Sequence, residues 1–252
     1  MIDTHCHLYD EKLYKNLDEI VNNASKANIK KMICIGDNLE TSEKSIKISE
    51  SYNNIYATVG IHPHEAKNAP NTYLNRLEKY AKNKKVVAIG EIGLDYYYNN
   101  SKPEIQKKIF LNQLNLAKKL NLPTVVHCRE ADDDLYKTIL KSKHRHGVIH
   151  CFASDTHFAK KIIDLGFYIS FTGMITFVNE LSQVIKDIDL KHIMIETDSP
   201  YLSPVPYRGK INQPAYVSKI AEKIADLKKI SLDEVIKITT ENANLLFNKL
   251  KN

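Results

Sequence analysis

Residues 124–151 read TVVHCREADDDLYKTILKSKHRHGVIHC. A short β-branched run, Thr124 to Cys128, gives way to a longer amphipathic stretch over 132–143, and a second short apolar run closes the segment at Gly147 to Cys151. Short apolar runs rich in β-branched residues read as buried strands, and longer ones at helical spacing read as helices. The segment is therefore a β-α-β unit. Its strands carry His127 and His150 near their ends, each followed by a cysteine.

The same alternation extends in both directions. Strands are predicted at MIDTH (1–5), KMICIG (31–36), IYATVG (55–60), VVAIGEIG (86–93), TVVHC (124–128), GVIHC (147–151), FYISFTG (167–173) and HIMIET (192–197). Helices are predicted over 16–28, 40–52, 72–83, 103–121, 132–143, 155–165, 177–187 and 214–228, and Ser231 with Glu234 reads as a capping box opening a last one. Strict alternation predicts an α/β fold with a parallel sheet, and eight repeats predict closure into a (β/α)8 TIM barrel; an open doubly wound sheet is the alternative. At 252 residues and 28.9 kDa, with no low-complexity tract or Gly/Ser-rich linker, the chain is expected to be a single domain over 1–252.

With 43% hydrophobic and 26% charged residues the chain can build a sizeable core, which excludes disordered and collagen-like classes. A net charge of +6 and a pI of about 8.9 permit a polyanionic partner without requiring one. No apolar run approaches the ~20 residues of a membrane span. No secretory leader is read at Met1-Ile2-Asp3, and Cys6, Cys34, Cys128 and Cys151 are scattered without CxxC pairing. A reducing, cytoplasmic location is the expectation.

In a barrel, the C-terminal strand ends converge on one mouth. His5 and His7 follow strand one, His62 and His64 strand three, Glu91 and Asp95 strand four; His127 lies on strand five, His150 on strand six and Asp198 after strand eight. The two-residue period of a strand sends His5 and His7 to one face and Cys6 to the other. Two close imidazoles repel when protonated, whereas a cation holds both neutral as ligands. His5, His7, Glu91, His127, His150 and Asp198 together offer four nitrogens and at least two carboxylates. That exceeds one tetrahedral ion and suffices for two ions bridged by a carboxylate or hydroxide.

Other histidines carry less. His144, His146, His157 and His192 lie in a helix–loop run, on a helix or at a strand start, and read as structural. Cys6, Cys128 and Cys151 each adjoin a proposed ligand, so alternation turns them toward the helix layer. The motifs GxSxG, GxxxxGK[ST] and GxGxxG are absent. A glycosidase pair drawn from Glu91 and Asp95 leaves the histidines unexplained.

IDTHCHL, VGIHPH, GEIGLDYY, VVHCRE, HCF, GMITF and IETDSPYLSP, in this order and spacing, resemble the TatD family of metal-dependent deoxyribonucleases within the amidohydrolase superfamily. The resemblance runs from Ile2 to TTENANLLF. It implies a (β/α)8 barrel whose two divalent ions, zinc, manganese or magnesium, serve phosphodiester hydrolysis in DNA, often from the 3′ end. Carried onto matching positions, His5, His7 and Asp198 would hold one ion, Glu91 would bridge, and His127 and His150 would hold the second. His62, His64 and Arg129 would face the scissile phosphate, with Asp95 and Arg208 as further substrate contacts. The chain departs from the family pattern at Ile211 and Gln213 in RGKINQP, at Ser154 in HCFAS and at Val178 in TFV. Those departures spare the ligands and bear on phosphate contacts and substrate preference.

The expected mechanism is attack by a metal-bound hydroxide, with Asp198 accepting the proton and Glu91 completing the catalytic pair. Nitrogen-rich ligation suits zinc, manganese or iron more than magnesium. Two rival readings stand beside this one: an amidohydrolase cutting a C–N bond in a small molecule, and a non-catalytic nucleic-acid-binding barrel. Tyr96, Tyr97 and Tyr98 read equally as stacking surfaces for unpaired bases or as loop packing.

Overall fold

The computed structural model describes residues 1–98 and 100–251. Among them β1 (Ile2–Cys6), β2 (Lys31–Cys34), β3 (Ile55–Val59), β4 (Val86–Asp95), β5 (Thr124–Arg129), β6 (Gly147–Ile149), β7 (Phe167–Phe171) and β8 (Ile193–Ile195) pair in chain order as one parallel sheet. Around them lie α1 (Glu11–Tyr14), α2 (Leu17–Lys26), α3 (Leu39–Ser51), α4 (Tyr73–Tyr80), α5 (Pro103–Leu120), α6 (Asp132–Ser142), α7 (Thr156–Asp164), α8 (Leu181–Asp187), α9 (Val217–Lys228) and α10 (Leu232–Leu246). This is a TIM barrel, and the open-sheet alternative falls on the seam between its first and last strands. There Thr4 Oγ1 donates to the Ile195 carbonyl (3.0 Å), Asp198 N–H to the His5 carbonyl (2.9 Å) and His7 N–H to the Ser199 carbonyl (2.8 Å).

The strands are buried on both faces because helices cover the outside and side chains fill the inside. Ile2, Ile33, Tyr56, Val87, Val125, Val148 and Met194, drawn from seven of the strands, form an inner cluster separate from the strand–helix core. Leu246, Phe247 and Leu250 join that inner cluster, so the segment after α10 plugs the floor of the barrel. Lys249 Nζ donates to the Val86 carbonyl at 2.7 Å, and Lys31 Nζ to that of Leu250, at the starts of β4 and β2. At the head of α10, Ser231 Oγ accepts from Glu234 N–H at 3.2 Å.

Two strands depart from simple alternation. Between Asp3 and Cys6 β1 uses three steps against two in β2, and between Ile89 and Ile92 β4 does the same against β5. Such bulges re-aim side chains beside active sites, and these flank His5 and Glu91. β8 stops at Ile195, two residues short of the expected 197, and Asp198 sits at φ +54°, a left-handed conformation that aspartate tolerates.

Candidate metal centre

Glu91 lies at the middle of the barrel mouth. His150 Nε2 is 2.7 Å and His127 Nδ1 3.2 Å from its Oε1, His62 Nε2 is 3.4 Å from the same oxygen, and His5 Nε2 is 3.4 Å from Oε2. Asp198 Oδ1 stands 3.2 Å from His7 Nε2 and 3.5 Å from His5 Nε2. The rings of His5 and His150 stack at 3.9 Å. All six residues expected as ligands thus meet in one cluster.

The outward nitrogens decide what the inward ones can do. Tyr9 donates its hydroxyl proton to Asp37, so its oxygen accepts from His7 Nδ1–H at 2.9 Å and leaves His7 Nε2 with a lone pair facing the cluster. His127 Nε2–H donates to Asp95 Oδ2 at 3.0 Å, which leaves Nδ1 facing Glu91. His150 Nδ1–H donates to Glu196 Oε1 at 3.3 Å, and Glu196 is fixed by the Cys151 N–H and the Ser170 hydroxyl, both at 2.8 Å. Carboxylates behind ligating histidines orient such rings for a metal. His62 differs: its Nδ1 accepts the His64 N–H at 3.2 Å, so its Nε2 bears the proton and it is a donor.

The inward atoms are arranged so that they could hold a cation. His5 Nε2 and His7 Nε2 approach to 3.2 Å, a distance that two N–H groups cannot share. Groups from this cluster, His5/His7/Glu91 and His5/His150/Asp198, each bring their ligand atoms within 4.8 Å, and Glu91 and His127 stand as close to the donor His62. In the bare protein protons take that place. Burial would lower His7, but Asp37 and Asp198 beside it raise it to about 9. Burial would raise Glu91, yet His150 and His62 hold it well below the usual carboxylate range. The donor set of imidazoles and carboxylates fits divalent metal ions. Among the described residues, the groups that could hold a metal contain no cysteine.

The expected substrate contacts divide. His62 joins the cluster; His64 lies behind it, its Nε2 bonded to Asp95 Oδ2 at 2.9 Å. Asp95 is fully buried, accepting from His64, His127 and the Tyr98 N–H, so it orients imidazoles and cannot face a substrate. Arg129 is exposed over the rings of Tyr97 and Tyr98, 4.0 and 4.7 Å from their centroids. Arg208 covers Phe177 at 3.8 Å and donates to the Ser203 carbonyl at 2.8 Å. Sequence reasoning missed Asp37, Tyr9 and Glu196. Asp37 follows β2, a strand end with a carboxylate like the others, and Glu196 precedes Asp198 by the same two residues that separate His5 from His7.

The sequence profile of TatD related DNases matches residues 2–248. This chain belongs to that family. The TatD-family chain is 39% identical to the uncharacterized metal-dependent hydrolase YabD of Bacillus subtilis, over 98% of each protein. It is 36% identical to the uncharacterized metal-dependent hydrolase YcfH of Escherichia coli, over 98% of this chain and 95% of that one. The crystal structure of YjjV, a TatD homolog from Escherichia coli, superposes with a TM-score of 0.94 at 28% identity, covering 98% of both chains. The protein is a TatD-family metal-dependent hydrolase. Among its described residues no helix is long and apolar enough to cross a membrane.

The positions where this TatD-family chain departs from the family pattern lie off the cluster. Ser154 Oγ donates to Asp132 at 2.9 Å, and Gln213 Oε1 accepts from Asn23 of α2 at 3.3 Å. Ile211 is exposed, and Val178 packs against the strand–helix core. A cavity of about 830 Å³ between Tyr14, Leu17 and Ile48 shares Tyr9 with the surroundings of His7 and is lined by none of the six ligand candidates.

Proposed function

We propose that this hydrolase cleaves phosphodiester bonds in DNA, working inward from a 3′ end with two divalent cations. The observation that carries the reading is Glu91, a buried carboxylate ringed by His5, His62, His127 and His150, in a chain of the TatD related DNase family. His5, His7 and Asp198 would hold one cation and His127 with His150 the other, Glu91 lying between the two sets. When bound, the cations would acidify a coordinated water and offset charge on the phosphoryl oxygens. Zinc or manganese matches the imidazole-rich donors better than magnesium.

The chain's own groups supply the rest. Asp198, within hydrogen-bond reach of His7, accepts the proton of the attacking water. His62 presents its Nε2–H beside Glu91, a donor where charge builds on the phosphoryl group. Arg129 adds a cation on the exposed side of the mouth.

The test is a product ladder from 3′- and 5′-labelled single-stranded and duplex oligonucleotides with the metal varied, alongside a cyclic amide. Stepwise shortening from the 3′ end is expected, with Glu91→Gln and Asp198→Asn each losing at least a hundredfold in rate while their melting curves stay cooperative. Turnover of the amide alone would sustain the C–N rival, and binding of the strand without cleavage in Mn²⁺ would sustain the non-catalytic one. Elemental analysis of protein purified without added metal is expected to find about two equivalents of zinc or manganese.

A further inference from the structure

Two tyrosines stand in water at the mouth for no packing reason. Tyr98, after β4, is 54% exposed and Tyr201, after β8, is 48% exposed. In a barrel with its strands in sequential order, the ends of β4 and β8 lie across the mouth from each other. Each ring meets a histidine edge-on: Tyr201 lies 6.0 Å from His7 of the cluster and Tyr98 5.4 Å from His64 just behind it, centroid to centroid. Each is also held in place. The Tyr98 N–H donates to Asp95 at 2.9 Å, and the Tyr201 hydroxyl donates to Asp10 at 3.3 Å.

A cation accompanies each ring. The Arg129 guanidinium lies over two adjoining rings, 4.7 Å from the Tyr98 centroid and 4.0 Å from that of Tyr97, and Lys12 Nζ lies over Tyr201 at 5.6 Å. A half-exposed aromatic ring with a positive charge held against it suits an unpaired base and its phosphate, because every base has a π-face and every linkage a negative charge. Bases inside a duplex already stack on their neighbours and cannot use such a face. We propose that Tyr98 and Tyr201 are stacking platforms for the unpaired bases on either side of the bond to be cut, with Arg129 and Lys12 meeting the adjoining phosphates. The inference rests on the phosphodiesterase reading and adds to it how the strand is gripped.

The experiment compares kcat/KM for a single-stranded oligodeoxynucleotide with that for the same strand carrying abasic residues on both sides of the cleaved bond. In the native enzyme the base-bearing strand is expected to be favoured by about tenfold or more, chiefly through KM. Tyr98→Leu and Tyr201→Leu should each pull that ratio toward one, and Tyr98→Phe, which keeps the backbone bond to Asp95, should restore it. A ratio that survives both leucine variants overturns the inference, and so does a native enzyme that cuts both strands equally well. Should a leucine variant fail to fold, the native ratio alone decides. Failure of the native enzyme to cut either strand removes the phosphodiesterase reading itself, a result distinct from equal cutting of both.

Discussion

Tyr9 sets which nitrogen of His7 keeps its hydrogen when the ring is neutral, because its hydroxyl proton is committed to Asp37. Partners of this kind are worth roughly 10–100-fold in metal affinity. Tyr9→Phe and Asp37→Asn are each expected to weaken binding by that factor, measured by competition with a chromogenic chelator; unchanged affinity would show that His7 needs no such hold. His7 also fixes a pH dependence. Its proton is held up to about pH 9 in the folded bare protein and only to about 6.5 in an ordinary histidine. The stability this adds is complete below about pH 6.5 and is lost as pH rises through about 9, so melting temperature without metal should fall across that window. Metal must displace the same proton, so apparent affinity should climb over the same range, by up to tenfold per unit. The six ligand candidates were legible because each lies in the C-terminal half of a strand or within three residues after it. Asp37 and Glu196 were not, since what they do depends on which nitrogen of a neighbouring ring carries hydrogen.

At the scale of the element, β4 is the strand that departs most from its sequence pattern. The expected run ended at residue 93, whereas the strand continues to Asp95 and its bulge carries Glu91. No alternation rule locates an extra residue within a fully buried strand, so the presence of Glu91 at the mouth was legible and its aim was not. Gly93 marks the cost. It sits at φ +140°, and a Cβ there would meet the His127 carbonyl oxygen at 2.0 Å. Gly93→Ala should therefore cost about 3 kcal/mol or more in urea unfolding and weaken metal binding through a displaced His127. A variant with native stability would mean that the two strands slide apart freely. The same reasoning explains β8: the pattern runs through Thr197, but the chain leaves the ladder after Ile195, which brings Asp198 over His5 and His7.

Across the whole molecule, the eightfold alternation was enough to give the barrel, and the last helix was the part whose job the pattern left unstated. Phe247 is fully buried in the inner cluster with Ile2, Ile33 and Val125. Phe247→Ala should cost about 3–5 kcal/mol in urea unfolding, the usual range for an aromatic lost from a core. A loss below about 1 kcal/mol would show that the floor stands without its plug.

The seam gives the molecule an order of assembly in time. His7 and Asp198 touch, yet 191 positions separate them along the chain. On a ribosome, His5 and His7 emerge early and wait for nearly the whole of synthesis before their carboxylate partner exists. Until Asp198 has left the exit tunnel and docked against the His5 carbonyl, a nascent chain holds an unfinished set of donors. A chain arrested anywhere before its last strand would lack the carboxylate that closes the set.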